Sequence, residues 1–298
     1  MKQWWSHNWR RFTVIGIPSL WFILFLFLPF LVVLKISLAE PIIASPPFTD
    51  LVYISKQTIH IVLSYANYLF IFTHSGFFVA LWESIKIALI TTILCAVVGY
   101  PMTYAIANSR PSIRPVLFML VILPYWTSFL LRAYAWVTIL QNNGLINHAL
   151  MWLHITDQPI RMIYTNFSVY VGLLYGYLPY FILPLYASLL KLDRTYLEAA
   201  SDLGCKPWKS FIKITLPLTW PGVMAGCLLV FIPAIGEVVI PQVLGGLNTM
   251  MIGNIVWEEF FVANNWCIAA ALAVVMLIVL LLPIIWLQRI QRKAEAKS

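Results

Sequence analysis

Apolar residues in this chain come in unbroken runs, not in the alternation expected of a half-buried strand. Val14 to Leu34 holds 21 residues without a charge, about the length that an α-helix needs to cross a bilayer. Further runs predict spans at about 14–38, 83–107, 116–140, 162–190, 220–244 and 268–287. Prolines interrupt the fourth (Pro179, Pro184), and Pro233, Gly236 and Pro241 interrupt the fifth. Between spans, Glu40 to Trp82 is a mixed polar segment with Pro41, Pro46 and Pro47. Asn108 to Pro115 is a basic, proline-broken turn, and Gln141 to Arg161 is a polar loop. The pattern predicts a short N-terminal segment (1–13), a transmembrane domain (14–288) and a basic tail (289–298). Ser37-Leu38-Ala39 has the small-x-small look of a signal-peptide cleavage site. The apolar run exceeds the roughly 7–15 residues of a signal core, however, and Lys35 falls within the would-be cleavage region, so the first span is expected to be retained.

One stretch, Thr195 to Pro217, is neither purely apolar nor plainly a loop. Thr195 and Glu198 stand in the S/T-x-x-E relation of a capping box, which starts a helix near Tyr196. Gly204 is placed to end that helix in a left-handed turn. Pro207 suits the first position of a second helix. There Trp208, Phe211, Ile212 and Thr215 form a less polar stripe, with Lys206, Lys209 and Lys213 elsewhere on the surface. The pattern fits a helix lying on a membrane surface as well as it fits a coupling element.

Composition removes most other classes. The chain is 61% hydrophobic and 10% charged, against roughly 25% charged for ordinary globular proteins. Its net charge of +8 is spread without basic runs interleaved with aromatics, so it does not point to nucleic acid. The positive charge reads instead as a topology signal. With six alternating spans and both termini in the cytoplasm, fourteen of the 19 basic residues face inward, in the two ends, the 108–115 turn and the 191–217 loop. Cys95, Cys205, Cys227 and Cys267 form no CxxC pair, and no two histidines are spaced as zinc ligands. No metal site is indicated. No nucleotide-binding glycine loop occurs, and the only internal echo is a Leu-Pro-Tyr triplet at 123–125 and again at 178–180.

Glu198-Ala199-Ala200, Gly204, Phe211, Ile214 and Leu216-Pro217 together resemble the EAA loop of ABC-importer permeases. The resemblance covers essentially the whole chain. It implies an all-α, six-span type I permease fold in a bacterial inner membrane, in which residues 191–217 dock on a separate ATPase. Glu198, Ala199, Ala200, Gly204, Trp208 and Phe211 would carry that coupling. ATP and Mg would be bound by the partner, leaving no cofactor on this chain and no enzymatic chemistry of its own. The implied partners are a second homologous permease, two ATPase subunits and a periplasmic binding protein that delivers the cargo, with lipid around the spans. Pro124-Tyr-Trp-Thr-Ser, Arg132-Ala-Tyr-Ala-Trp136 and Phe231 to Pro241 are similar to the polyamine branch, and the segment around Glu237 to its putrescine-type members.

Glu237 is the one acid well inside a predicted span, and an intramembrane carboxylate is a functional candidate by default. A polyamine carries ammonium groups, whose partners are carboxylates and aromatic faces. Tyr125, Trp126, Tyr134 and Trp136 in the third span, and Trp257 and Glu258 in the outer loop, are candidates for the cargo pathway. A purely structural role for Glu237 is an ion pair with Arg132. Counted from their cytoplasmic ends, both lie about 25 Å across the membrane at ~1.5 Å per residue. Tyr125, Phe129, Arg132 and Trp136 share one face of a straight helix, where aromatics also serve as interfacial anchors. An ion-coupled secondary transporter would leave the 191–217 loop without a purpose, and a membrane enzyme would need clustered acids or a nucleophile–base pair.

Overall fold

A computed structural model of the protein describes residues 14–50, 52–55, 58–61, 63–246 and 249–295. Helix α1 (Val14–Ser37) is followed by an antiparallel hairpin, β1 (Val52–Ser55) and β2 (Thr58–Ile61), with Val52 opposite Ile61. Next come α2 (Ala66–Thr73) and the long α3 (Ser75–Asn108). Helix α4 (Arg114–Trp126) ends in a 3-10 turn over Leu123–Trp126, and α5 (Phe129–Leu140) and α6 (Leu145–Trp152) follow. Helix α7 (Asn166–Leu190) precedes α8 (Thr195–Asp202) and α9 (Pro207–Ile235), which contains a π-turn at Phe211–Thr215. A π-turn at Pro241–Gly245 leads to α10 (Ile252–Trp257), a further π-turn (Glu258–Val262) and α11 (Trp266–Glu295).

The architecture is helical as expected, with a small hairpin inside the segment read as mixed polar. Helices α1, α3, α7, α9 and α11 each have the length and hydropathy to cross a membrane. Large apolar side chains along α1 and α3 stay exposed, Leu26 and Val97 among them. In lipid, where tails are as apolar as Leu, such exposure is favourable. Every backbone group must be satisfied internally there, and serine and threonine hydroxyls add to the ladders. Thr92, Thr103 and Thr219 donate to the carbonyls four residues back, at 2.7, 2.6 and 2.8 Å.

Three expected spans are corrected. The third, 116–140, is not one straight helix: α4 and the α5–α6 arm bend by 93° at Thr127–Ser128. Pro124 tightens the last turn of α4, Thr127 turns extended, and its hydroxyl closes the end on the Pro124 carbonyl at 2.7 Å. The second span begins eight residues earlier than expected, at Ser75, since Trp82 and its apolar neighbours continue the helix. The fifth ends at Ile235, nine residues early, because Gly236 and Glu237 break it.

The chain folds as two compact units. One comprises the described residues up to Phe78 together with Val256–Val279. In it the end of α1 is tied down by the buried Asn67, whose side-chain amide donates to the carbonyls of Ser37 (3.0 Å) and Ala39 (2.8 Å). The suspected cleavage segment is thereby part of the fold, with Ser37 and Ala39 both buried. Phe260 stacks on Trp266 in the same unit, ring centroids 5.0 Å apart.

The other unit comprises Val79–Ile255 and the described residues from Leu280 on. Helices α3, α7 and α9 meet there at Phe181, which is fully buried. A Cβ on Gly99 of α3 would lie 2.6 Å from Cδ1 of that ring, and one on Gly226 of α9 would lie 2.9 Å from Cδ2. Two glycines thus admit one ring, the close approach by which helices pack in lipid without a hydrophobic drive between them.

Candidate functional site

The first site is the corner between α8 and α9. The expected capping box does not form. Thr195 is already inside the helix, and its N–H donates instead to Oδ1 of Asp193 at 3.0 Å. That bond holds the Asp193 carboxyl below its ordinary pKa. A two-residue side-chain turn is the shorter route to that donor, which a capping box would give to the Glu198 carboxylate, and the Glu198 N–H goes instead to the Arg194 carbonyl at 3.0 Å. Glu198 is therefore free of any capping duty and stands exposed. At the other end the expectation holds in detail. Gly204 has φ +73°, its N–H donates to Ser201 O (2.9 Å), and the Cys205 N–H donates to Ala200 O (2.9 Å). This pair of bonds is the Schellman closure. Pro207 opens α9, with Lys206 as its extended cap residue.

The candidate coupling residues divide between two surfaces. Glu198, Ala199, Gly204 and Trp208 are exposed, and Leu203 beside them is 88% exposed. Ala200 is buried. Phe211 faces the other way, edge-on to Tyr100 and Tyr104 of α3, each at a centroid distance of 5.4 Å. The π-turn that begins at Phe211 inserts an extra residue per turn and rotates it off the Trp208 face. Nearby, the Tyr100 and Thr219 hydroxyls bond at 2.9 Å and join α3 to α9. Phe211 therefore anchors the corner to the spans, while Trp208 is presented outward.

The second site lies where α9 breaks. Glu237 is half-buried, and its Oε1 accepts the N–H groups of Val239 (3.0 Å) and Ile240 (3.4 Å), capping the turn that follows. Its Oε2 accepts the hydroxyl of Tyr177, a buried residue of α7. The expected ion pair with Arg132 is absent among the described residues, whose salt bridges are Lys35–Asp50 and Glu83–Lys86. The depth count failed because α5 leaves α4 at a right angle, so residues past Trp126 do not climb the same axis.

Arg132 has other neighbours. Its Cζ lies 4.4 Å from the Tyr125 ring centroid and 5.6 Å from that of Phe129. Its Nε and Nη1 are buried with no hydrogen-bond acceptor. It lines a narrow cleft with Phe129, Ala133, Trp136, Gly172, Tyr175, Gly176 and Ile240. Trp136 meets Tyr175 edge-on at 5.6 Å. The Tyr125 hydroxyl donates to Gly176 O, and its ring meets Tyr180 edge-on at 5.8 Å. Tyr180 in turn lies 5.9 Å from Tyr177.

Of the residues expected on the pathway, Tyr125, Trp136, Arg132 and Glu237 are thus brought into one neighbourhood of α5 and α7. Trp126 and Tyr134 are exposed, away from the cleft. Trp257 and Glu258 belong to the other unit, where Trp257 packs on Phe261 at 4.1 Å. There burial, with the neighbouring Glu258 charge, pushes the carboxyl of Glu259 up. Sequence reasoning missed Tyr177 and Tyr180. The signal for Tyr180 was the repeated Leu-Pro-Tyr triplet, whose two tyrosines, Tyr125 and Tyr180, meet in the fold. No cluster of potential metal ligands occurs among the described residues.

Residues 96–296 match the family of binding-protein-dependent transport system inner membrane components. The chain is 38% identical over 276 residues to the spermidine/putrescine transport system permease protein PotB of Salmonella typhimurium, covering 92% of this chain and 90% of that one. To the protein of that name from Escherichia coli K12 it is 36% identical, covering 92% and 94%. Its fold is similar to a chain of a bacterial ABC transporter involved in the import of the acidic polysaccharide alginate. That likeness has a TM-score of 0.67, covers 98% of this chain and 99% of that one, and comes with 16% identity. The chain belongs to the binding-protein-dependent family, as a type I ABC-importer permease and a multi-pass protein of the inner membrane.

Proposed function

We propose that this permease carries polyamines, putrescine first among them, into the cell by alternating access driven by ATP hydrolysis on a partner subunit. The observation that carries the cargo class is its identity, over nine-tenths of its length, with permeases named for spermidine and putrescine. The chemistry of the second site supports it. A carboxylate at a broken span, bonded to the first of a row of three tyrosines, offers a primary ammonium both charge and π-faces. Both termini and the α8–α9 corner lie in the cytoplasm, as the distribution of lysine and arginine supports. There the corner, with Trp208 and Leu203 outermost, engages an ATPase subunit, and Phe211 passes the motion to α3. A second permease completes the pathway, two ATPase subunits power it, and a periplasmic binding protein delivers the amine.

The test is reconstitution of the chain with its second permease, ATPase and binding protein in proteoliposomes. Uptake of radiolabelled putrescine is expected to need ATP inside and no ion gradient. Spermidine is expected to compete more weakly. Uptake driven by a sodium or proton gradient without ATP would replace this reading with a secondary transporter.

A further inference from the structure

Arg132 is an expensive residue to leave as the structure leaves it. A guanidinium held in a transmembrane unit is expected to pair with a carboxylate or with backbone carbonyls. Here Nε and Nη1 are buried and find no acceptor among the described residues. What surrounds them is aromatic: Tyr125 at 4.4 Å and Phe129 at 5.6 Å. The only stabilisation in view is cation–π, which grows when the cation is desolvated. Glu237 would be the natural counter-ion, yet both of its oxygens are engaged, by Tyr177 and by the backbone of Val239 and Ile240. The charge balance of the site is left open.

The two charged groups are connected by rings. From Arg132 the order is Tyr125, then Tyr180 at 5.8 Å, then Tyr177 at 5.9 Å, then the Glu237 carboxylate. A cargo with two ammonium groups has two needs, a carboxylate for one and a π-face for the other. Glu237 meets the first. The Tyr125–Phe129 face is suited to the second, but it already holds a cation that belongs to the chain.

We infer that Arg132 is a tethered stand-in for cargo: its guanidinium occupies the aromatic subsite that takes the second ammonium of a diamine, and cargo must displace it. This rests on the cationic cargo proposed above. Displacement is feasible because Nε and Nη1 of the guanidinium have no acceptor among the described residues, and Arg can swing its charge outward on a flexible stem. A monoamine can bind Glu237 but gains nothing from evicting Arg132. A diamine offsets the eviction with its own second charge. The residue thereby sets a cost on entry to the aromatic subsite, which only a cargo with a second positive charge can offset.

The test uses the assembled permease–ATPase complex in detergent, without binding protein, and equilibrium binding of putrescine and propylamine. Arg132→Gln and Arg132→Met, the latter keeping an apolar stem over the rings, are expected to bind putrescine several-fold tighter than the wild type. Propylamine affinity at Glu237, which never required the displacement, should stay near the wild-type value, so the ratio between the two cargoes widens. Arg132→Lys, which keeps a tethered cation, should preserve the wild-type ratio. Adding Tyr125→Leu to Arg132→Met should remove the gain. Unchanged or weaker putrescine binding in both neutral variants, or a Lys variant that behaves like them, overturns the inference. Ethylammonium reads the aromatic subsite without any polyamine: the neutral variants should bind two per complex-bound permease chain and the wild type one. If the wild type binds no polyamine while that ethylammonium difference holds, the cargo reading falls and the stand-in survives.

Discussion

Two glycines interrupt the path of the chain near its two sites, and the interruptions are closed in opposite ways. At Gly204 the backbone closes the break by itself, through a left-handed residue and two N–H···O bonds to the preceding turn. At Gly236 the backbone is ordinary, with φ −89°, and a side chain does the closing. Glu237 caps the next turn and accepts from Tyr177. A backbone closure lasts as long as the fold does. A carboxylate can exchange its partners for an ammonium and return. The difference matches the roles proposed above: a coupling corner would have to transmit force without yielding, and a cargo site would have to take hold and release.

The sharpest way to break this contrast is at the glycines. In Gly204→Val a β-branched residue is forced into the left-handed region at a cost of roughly 1–2 kcal/mol. ATP-driven uptake is expected to be abolished, with the protein still inserted in the membrane by protease protection. Gly236→Ala, at a φ open to any residue, is expected to keep most of its uptake. If the two variants were equally impaired, the contrast between the closures would be lost.

The carboxylate comes next. Glu237→Gln keeps an oxygen for the Val239 N–H and loses the charge. Diamine transport is expected to fall about tenfold, the equivalent of ~1.4 kcal/mol, with the thermal unfolding midpoint nearly unchanged. Wild-type kinetics in this variant would leave Glu237 as a helix cap only. A third measurement separates the two faces of the corner. Phe211→Ala is expected to destabilise by about 2–3 kcal/mol, under the range for a fully buried Phe. Trp208→Ala should stay within about 0.5 kcal/mol in stability and weaken association with the ATPase subunit. A reversal of those two outcomes would mean that the π-turn does not sort them.

The smallest effect is a pH dependence. The Asp193 carboxyl is held below its ordinary pKa by the Thr195 N–H. Its stabilising contribution is therefore present above the unfolded-state value and lost as pH falls through the depressed one. Acid should fray the start of α8 slightly in the wild type, and Asp193→Asn should flatten that part of the profile. Circular dichroism of the solubilised protein from pH 5 to 2.5 reads the difference.

The spans and the corner were legible because their signals are local. A run of 21 uncharged residues, a glycine six residues past Glu198 and a proline before a less polar stripe each need no knowledge of distant chain. The site was less so. Pro124 marks the bend after α4, yet Pro101, Pro179, Pro184, Pro221 and Pro233 sit within continuous helices. Neighbouring packing decides which prolines break a helix. The shared face of Tyr125 and Arg132 was found for the wrong reason. It rests on a straight helix that does not exist, and the bend folds the guanidinium back onto the ring. Thr195 lost the cap because Asp193 takes the Thr195 N–H that Glu198 would have accepted, and the Arg194 carbonyl takes the Glu198 N–H that the Thr195 hydroxyl would have accepted. Tyr177 carried no sign of its role, since its partner is 60 residues away.

That separation has a consequence for the order in which the molecule is made. The bonds of the α8–α9 corner join residues no more than five apart, so they can close within microseconds, as soon as the segment is synthesised. The bonds that tie the spans together, Tyr177 to Glu237 and Tyr100 to Thr219, join residues 60 and 119 apart, and must wait until α9 has entered the membrane and found α3 and α7. The nascent chain can therefore close the corner that we propose as the docking surface before the spans around it have assembled.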